Sequence, residues 1–147
     1  MTDLSPIQKR LALKAPTETA FRHFTENIRL WWPMKTHSIS EARTADVVFE
    51  SKPGGRVYEV DADGRERDWG VVLVYDPYKQ LIFSWVLEKP DRATEVEVNF
   101  TPTGADSCEL DLVHRGWDTR PEGDKWRGPY SEGWALILDQ YETTLAA

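Results

Sequence analysis

The sequence predicts an α+β domain in which a curved antiparallel sheet of about seven strands wraps around one long C-terminal helix. Two observations carry this. From Ala45 to Trp117 apolar and polar residues alternate in short runs separated by turn residues, the period of half-buried strands. The stretch Pro129 to Leu145 then changes period: Tyr130, Trp134, Ile137, Leu138, Tyr141 and Leu145 share one helical face, and Glu132, Asp139, Gln140 and Glu142 the other. At ~1.5 Å per residue that helix is roughly 25 Å long, enough to cross a small sheet. A sheet with one dry face must bury it, and no other amphipathic stretch is long enough to cover it.

Taken in order, Ile7 to Lys14 alternates as a first strand with one wet face. Pro16 stops it and opens a helical segment whose apolar face is Phe21, Phe24 and Ile28. Two short helices broken near Thr25 to Asn27 suit that segment, which runs into Trp31-Trp32-Pro33. Met34 to Thr44 has no period and reads as a loop. Six strands follow: Asp46 to Ser51, Arg56 to Val60, Arg67 to Tyr75, Gln80 to Leu87, Ala93 to Thr101 and Ser107 to Trp117. The strings Pro53-Gly54-Gly55, Asp61-Ala62-Asp63-Gly64, Asp76-Pro77 and Pro102-Thr103-Gly104 supply the turns. Asp118 to Gly128 reads as a polar loop, and Pro129 pre-sets the first turn of the final helix. Gly133 inside that helix costs about 1 kcal/mol against Ala, which points to close approach of a backbone or a ligand. The order is β-α-α-β-β-β-β-β-β-α, a single domain over residues 1–147.

Composition excludes several classes of function. A net charge of -7 disfavours a nucleic-acid backbone or an anionic membrane surface as partner. The single cysteine, Cys108, excludes an internal disulfide. No stretch approaches the ~18 apolar residues of a membrane span, and MTDLSPIQKR lacks the apolar core of a leader, so a cytoplasmic protein without membrane insertion is expected. His23, His37 and His114 are far apart, with no ligand spacing for a metal. No phosphate loop or nucleophile motif is present, so no cofactor is expected.

Several strings together resemble the SRPBCC (START/Bet v 1-like) superfamily. Within it they are most similar to the family named after the homologue of the activator of heat-shock-protein 90 ATPase. The residues are Trp31-Trp32-Pro33; Pro53-Gly54-Gly55-Arg56 with Tyr58 and Glu59; and Trp69-Gly70 with Val72. Asp76-Pro77 with Leu81, Phe83 and Trp85 continues the match, and His114 with Gly116-Trp117 closes it. The resemblance implies a helix-grip fold with a cavity between the long helix and the sheet. It implies ligands such as lipids, sterols or polyketides, with cyclases among the superfamily's enzymes. A chaperone link is also implied, although the chain has no room for the separate chaperone-binding domain of the eukaryotic activator.

Candidate residues are weighed on this basis. Trp31, Trp32, Tyr58, Trp69, Phe83, Trp85, Phe100, Tyr130 and Trp134 either fill the core or line a pocket; seven tryptophans in so short a chain tip the group towards a pocket. His114 shares strand parity with Leu110 and Leu112, so it faces inward. There it is a core histidine, a ligand contact or a weak candidate for an acid or base. Arg56 and Glu59 read as a structural ion pair or as a charged mouth to the cavity. The leading expectation is a small lipophilic ligand held under the last helix. A cyclase or dehydratase using His114, and a chaperone-associated module, are the alternatives. An exposed edge strand and Trp126 permit a homodimer.

Overall fold

A computed structural model describes residues 3–146 of the chain; Met1, Thr2 and Ala147, the ends of the expected domain, lie outside the described residues. Its elements are β1 (Ile7–Leu13), α1 (Thr17–Thr25), α2 (Ile28–Trp31), β2 (Thr44–Phe49), β3 (Arg56–Asp61), β4 (Glu66–Asp76), β5 (Gln80–Trp85), β6 (Thr94–Gly104), β7 (Ser107–Arg115) and α3 (Gly123–Leu145). The strands form one antiparallel sheet in the order β1-β7-β6-β5-β4-β3-β2. The expected helix-grip order is therefore present, with α3 in the concave face.

Period-two burial decides which side chains meet α3. In β6 and β7, Val96, Val98, Phe100, Cys108, Leu110, Leu112 and His114 are buried. The opposite face of these strands carries the acidic residues. There Arg115 bridges Glu95 at 2.7 Å and Glu97 at 2.6 Å. From α3, Trp134, Ile137, Leu138 and Tyr141 complete the core. The Tyr141 hydroxyl donates to the Ala20 carbonyl at 2.6 Å, tying the lid to α1.

Helix α3 begins six residues before the predicted start, so Asp118–Gly128 is only partly loop and Pro129 lies inside the helix. A proline there removes one backbone donor but leaves the chain helical on both sides. The earlier start places Trp126 on the same helix as Tyr130 and Trp134.

The bulge in β4 has the largest consequence. Val57 pairs with Gly70 and Tyr58 with Asp68, so Trp69 is an extra residue in the ladder. Gly70 is required beside it, because a Cβ would sit 1.7 Å from the Ser84 carbonyl oxygen. The bulge aims the Trp69 indole at Glu59, and the indole N–H donates to Glu59 Oε1 at 2.6 Å. Glu59 stands on the inner face of β3 between Val57 and Asp61 and is 0% exposed. Arg56, on the opposite face, pairs instead with Glu66 at 2.9 Å and Asp68 at 2.7 Å. The expected Arg56–Glu59 pair is thus corrected by strand parity: three residues apart, the two side chains point to opposite sides.

Three further donors reach the Glu59 carboxylate: the amides of Ile39 at 2.6 Å and Ser40 at 2.8 Å, and the Thr44 hydroxyl at 3.2 Å. The aperiodic segment 33–43 is therefore folded onto a buried anion. Burial raises the Glu59 pKa, but the bonds from Trp69, Ile39 and Ser40 outweigh it and the net shift is downward. Glu59→Gln keeps the shape but turns an NH2 towards these donors, and is expected to cost about 3 kcal/mol in urea unfolding at neutral pH. Because the folded pKa lies below 4.5, the ordinary value, the carboxylate's stabilisation is complete above about pH 4.5 and lost as pH falls further. Glu59→Gln should lack that acid limb.

Candidate ligand cavity and its polar groups

A cavity of about 390 Å³ lies between α3 and segment 36–39. One wall is α3, through Trp126, Tyr130, Gly133, Trp134 and Ile137. The other is Thr36, His37, Ser38 and Ile39, the stretch pinned by Glu59. Trp32 and Trp85 form its inner end, and Leu87 stands at its lip. Leu87 has a φ of 46° and Glu88 a φ of 64°, a left-handed turn that ends β5 two residues before the predicted boundary. The amides of Val86 and Leu87 both donate to the bulged Trp69 carbonyl, at 2.6 and 3.1 Å, which fixes that turn. The volume falls in the range usual for small-molecule sites, whose walls are mostly apolar with a few convergent polar groups.

The polar groups are distinct in their state of satisfaction. Trp85 is 6% exposed, and its Nε1 has no hydrogen-bond partner among the described residues that meets ordinary geometry. It nevertheless faces the Tyr130 phenol closely enough to favour that group's ionised form. Burial raises the Tyr130 pKa, and the pull of Trp85 and of Arg120 does not reverse this, so the phenol stays a proton donor at neutral pH. Arg120 lies 6.0 Å from the Tyr130 ring and 5.4 Å from that of Trp126. On the facing wall, His37 Nδ1 is 2.7 Å from the Thr36 hydroxyl. The Trp32 indole holds the His37 carbonyl at 2.6 Å. Among the described residues no hydrogen bond reaches His37 Nε2.

His114 is arranged differently. The Trp134 indole donates to its Nδ1 at 2.9 Å, which fixes the proton on Nε2 and directs it to the Thr94 hydroxyl at 2.7 Å. Both ring nitrogens are occupied by protein, and burial, with lesser contributions from Arg120 and Arg115, lowers the pKa to about 3. This imidazole is a neutral strut joining β7, β6 and α3.

Of the residues singled out in the sequence, Trp32, Trp85, Tyr130 and Trp134 line the cavity. Trp31 is packed among Phe24, Trp32 and Tyr141, its indole donating to the His23 carbonyl at 2.8 Å. Trp69 is behind Trp32 on Glu59, while Phe83 and Phe100 pack deeper, against Phe24. Tyr58 is on the outer face of β3 with the Arg56 guanidinium 4.2 Å from its ring centre, outside the cavity. His114 touches the Trp134 wall from behind. Trp126, His37 and Leu87 were not anticipated as lining, and Glu59, read as an ion-pair partner of Arg56 or a charged mouth, is instead a buried anchor. Only Glu59 had a signal, a carboxylate at the inward parity of a strand. Among the described residues, no three His, Cys, Asp or Glu side chains gather as a metal site, and no helix is long and apolar enough to cross a membrane.

The model of one protein family, described as Activator of Hsp90 ATPase homolog 1-like protein, matches residues 14–146. None of the curated proteins compared with the chain matches it. Among solved structures, protein MLL2253 of Mesorhizobium loti superposes with a TM-score of 0.72 at 22% identity, over 96% of each chain. CalC of Micromonospora echinospora, a self-sacrificing resistance protein, gives 0.70 at 26% identity over 97% of this chain and 94% of that one. The anthrahydroquino-gamma-pyrone synthase Txn09 gives 0.65 at 28% identity over 96% and 97%.

The neutral His114 has a consequence for stability. In the unfolded chain its imidazole protonates below about pH 6.5, whereas the folded one resists until about pH 3. Protons bind preferentially to the unfolded state between these values, so stability should fall steadily as pH drops from 6.5 towards 3. Denaturation midpoints of wild type and His114→Gln measured across that window should converge on acidification.

Proposed function

The chain belongs to the Activator of Hsp90 ATPase homolog 1-like family, and we propose that it binds a small, mostly apolar aromatic molecule in the cavity under α3. The observation that carries this reading is the cavity itself: an apolar space walled by four tryptophans, with the Tyr130 phenol among its few polar groups. Flat rings and an O–H at one end suit a planar ligand that carries a carbonyl or hydroxyl oxygen. Two relatives of more than a quarter identity support the class, one named as a synthase of an anthrahydroquino-gamma-pyrone and one as a resistance protein.

Gly133 is the position that separates ligand site from lid. It lines the cavity, and a Cβ there would meet only His37 Cδ2, at 3.8 Å, ordinary contact. Gly133→Ala should therefore raise stability by about 1 kcal/mol through helix propensity while leaving the cavity open. Gly133→Phe would place a ring in the space. Titration of tryptophan fluorescence with bicyclic aromatic ketones and phenols should give saturable quenching in wild type and Gly133→Ala, and none in Gly133→Phe. No saturable quenching by any member of the panel, or unchanged quenching in a folded Gly133→Phe, would contradict the reading.

A further inference from the structure

We infer that the cavity is also a proton-transfer site, in which His37 takes a proton from the carbon next to a ligand carbonyl while Tyr130 holds the oxygen. This rests on the ligand-binding reading above and adds chemistry to it.

The two histidines near α3 differ in one decisive respect. His114 has both nitrogens engaged, so no lone pair is available. His37 has one engaged. We assign the Thr36 hydroxyl proton to the Pro33 carbonyl at 3.3 Å, which makes its oxygen the acceptor for His37 Nδ1–H at 2.7 Å. That tautomer leaves Nε2 as a lone pair on a cavity wall. The ring is held at its backbone by the Trp32 indole and at Nδ1 by Thr36, the arrangement in which a base is oriented by a neighbour.

The position is suited to the chemistry. His37 Cδ2, bonded to Nε2, lies 3.8 Å from where a Cβ of Gly133 would stand. Tyr130 is three residues earlier on α3, so its side chain projects from the neighbouring turn of the same face. The base thus sits one helical turn from the phenol, with the glycine leaving the space between them unfilled. On the far side Tyr130 retains its proton, with the Trp85 indole close behind the phenol. A donor at the carbonyl oxygen stabilises the charge that develops there.

The step balances within the ligand and His37. The α C–H bond breaks, its proton goes to Nε2, and its electron pair becomes the C=C bond of an enolate. The carbonyl π pair moves to oxygen, where the Tyr130 O–H donates to it. Return of the proton from the imidazolium to carbon restores the ketone; in heavy water the exposed edge of the imidazolium exchanges first, and deuterium is returned. No oxidant, metal or second substrate enters.

The probe is 2-tetralone, a bicyclic aromatic ketone with exchangeable α protons. Binding is read by tryptophan quenching and exchange by proton NMR in buffered D2O. Wild type should bind saturably and accelerate loss of the α-proton signals above buffer. His37→Gln should still bind saturably and lose roughly a hundredfold of that acceleration. Tyr130→Phe should lose part of it, and His23→Gln, whose ring pairs with Thr144 at 2.8 Å away from the cavity, none. Saturable binding without accelerated exchange, or acceleration that survives in His37→Gln, overturns the proton-transfer site and leaves the binding reading standing. Absence of saturable binding overturns both.

Discussion

A single buried carboxylate organises the concave side of this protein. Glu59 sits at 0% exposure inside a curved sheet, where an unpaired charge would be severely destabilising. Its four donors come from two sources: the bulged Trp69 of β4 and the segment that joins α2 to β2. That segment has no apolar period of its own and few residues that could anchor it in the core. The anion supplies the anchor, and the segment supplies the amides that make the anion tolerable. The cavity exists because this wall is held away from α3 instead of collapsing onto it.

The same bulge ties the two ends of the cavity together. Trp69 donates through its side chain to Glu59 and accepts through its carbonyl from Val86 and Leu87. The wall at Ile39 and the lip at Leu87 are thus set by one residue. Tryptophan stacks continue inward: Trp32 lies 4.9 Å from Trp69 and 5.7 Å from Trp85, with Trp134 set edge-on to Trp32. Rigid aromatic packing fills the region behind the cavity, and the small Gly133, Thr36 and Ser38 keep space open between its aromatic walls.

Much of the fold was legible because burial follows backbone period. Alternation in Val96–Phe100 and Cys108–His114 identified the inner face, and the 3.6-residue period from Tyr130 identified the element that covers it. Where the sequence misled, the cause was local. Pro129 looked like a helix start because proline favours the first turn, yet the helix continues upstream through Trp126. Leu87 looked like strand because it is apolar, but its left-handed backbone turns it over the cavity. Tyr58 was drawn inward by its aromaticity although its parity with Arg56 places it outside. His114 was singled out for its inward parity, which is correct; its saturation by Trp134 and Thr94 depends on tertiary contacts that no spacing encodes. His37 carried no signal, since a histidine in an aperiodic loop acquires its direction only from the residues that pin the loop.

Four of the seven tryptophans line the cavity and three do not. Fluorine NMR of protein labelled with 5-fluorotryptophan, titrated with 2-tetralone, addresses it residue by residue. A ligand held in the cavity gives saturable shifts that are largest for Trp32, Trp85, Trp126 and Trp134 and smaller for Trp31, Trp69 and Trp117. Shifts concentrated on Trp31, Trp69 and Trp117, or no saturable shift at all, would contradict it.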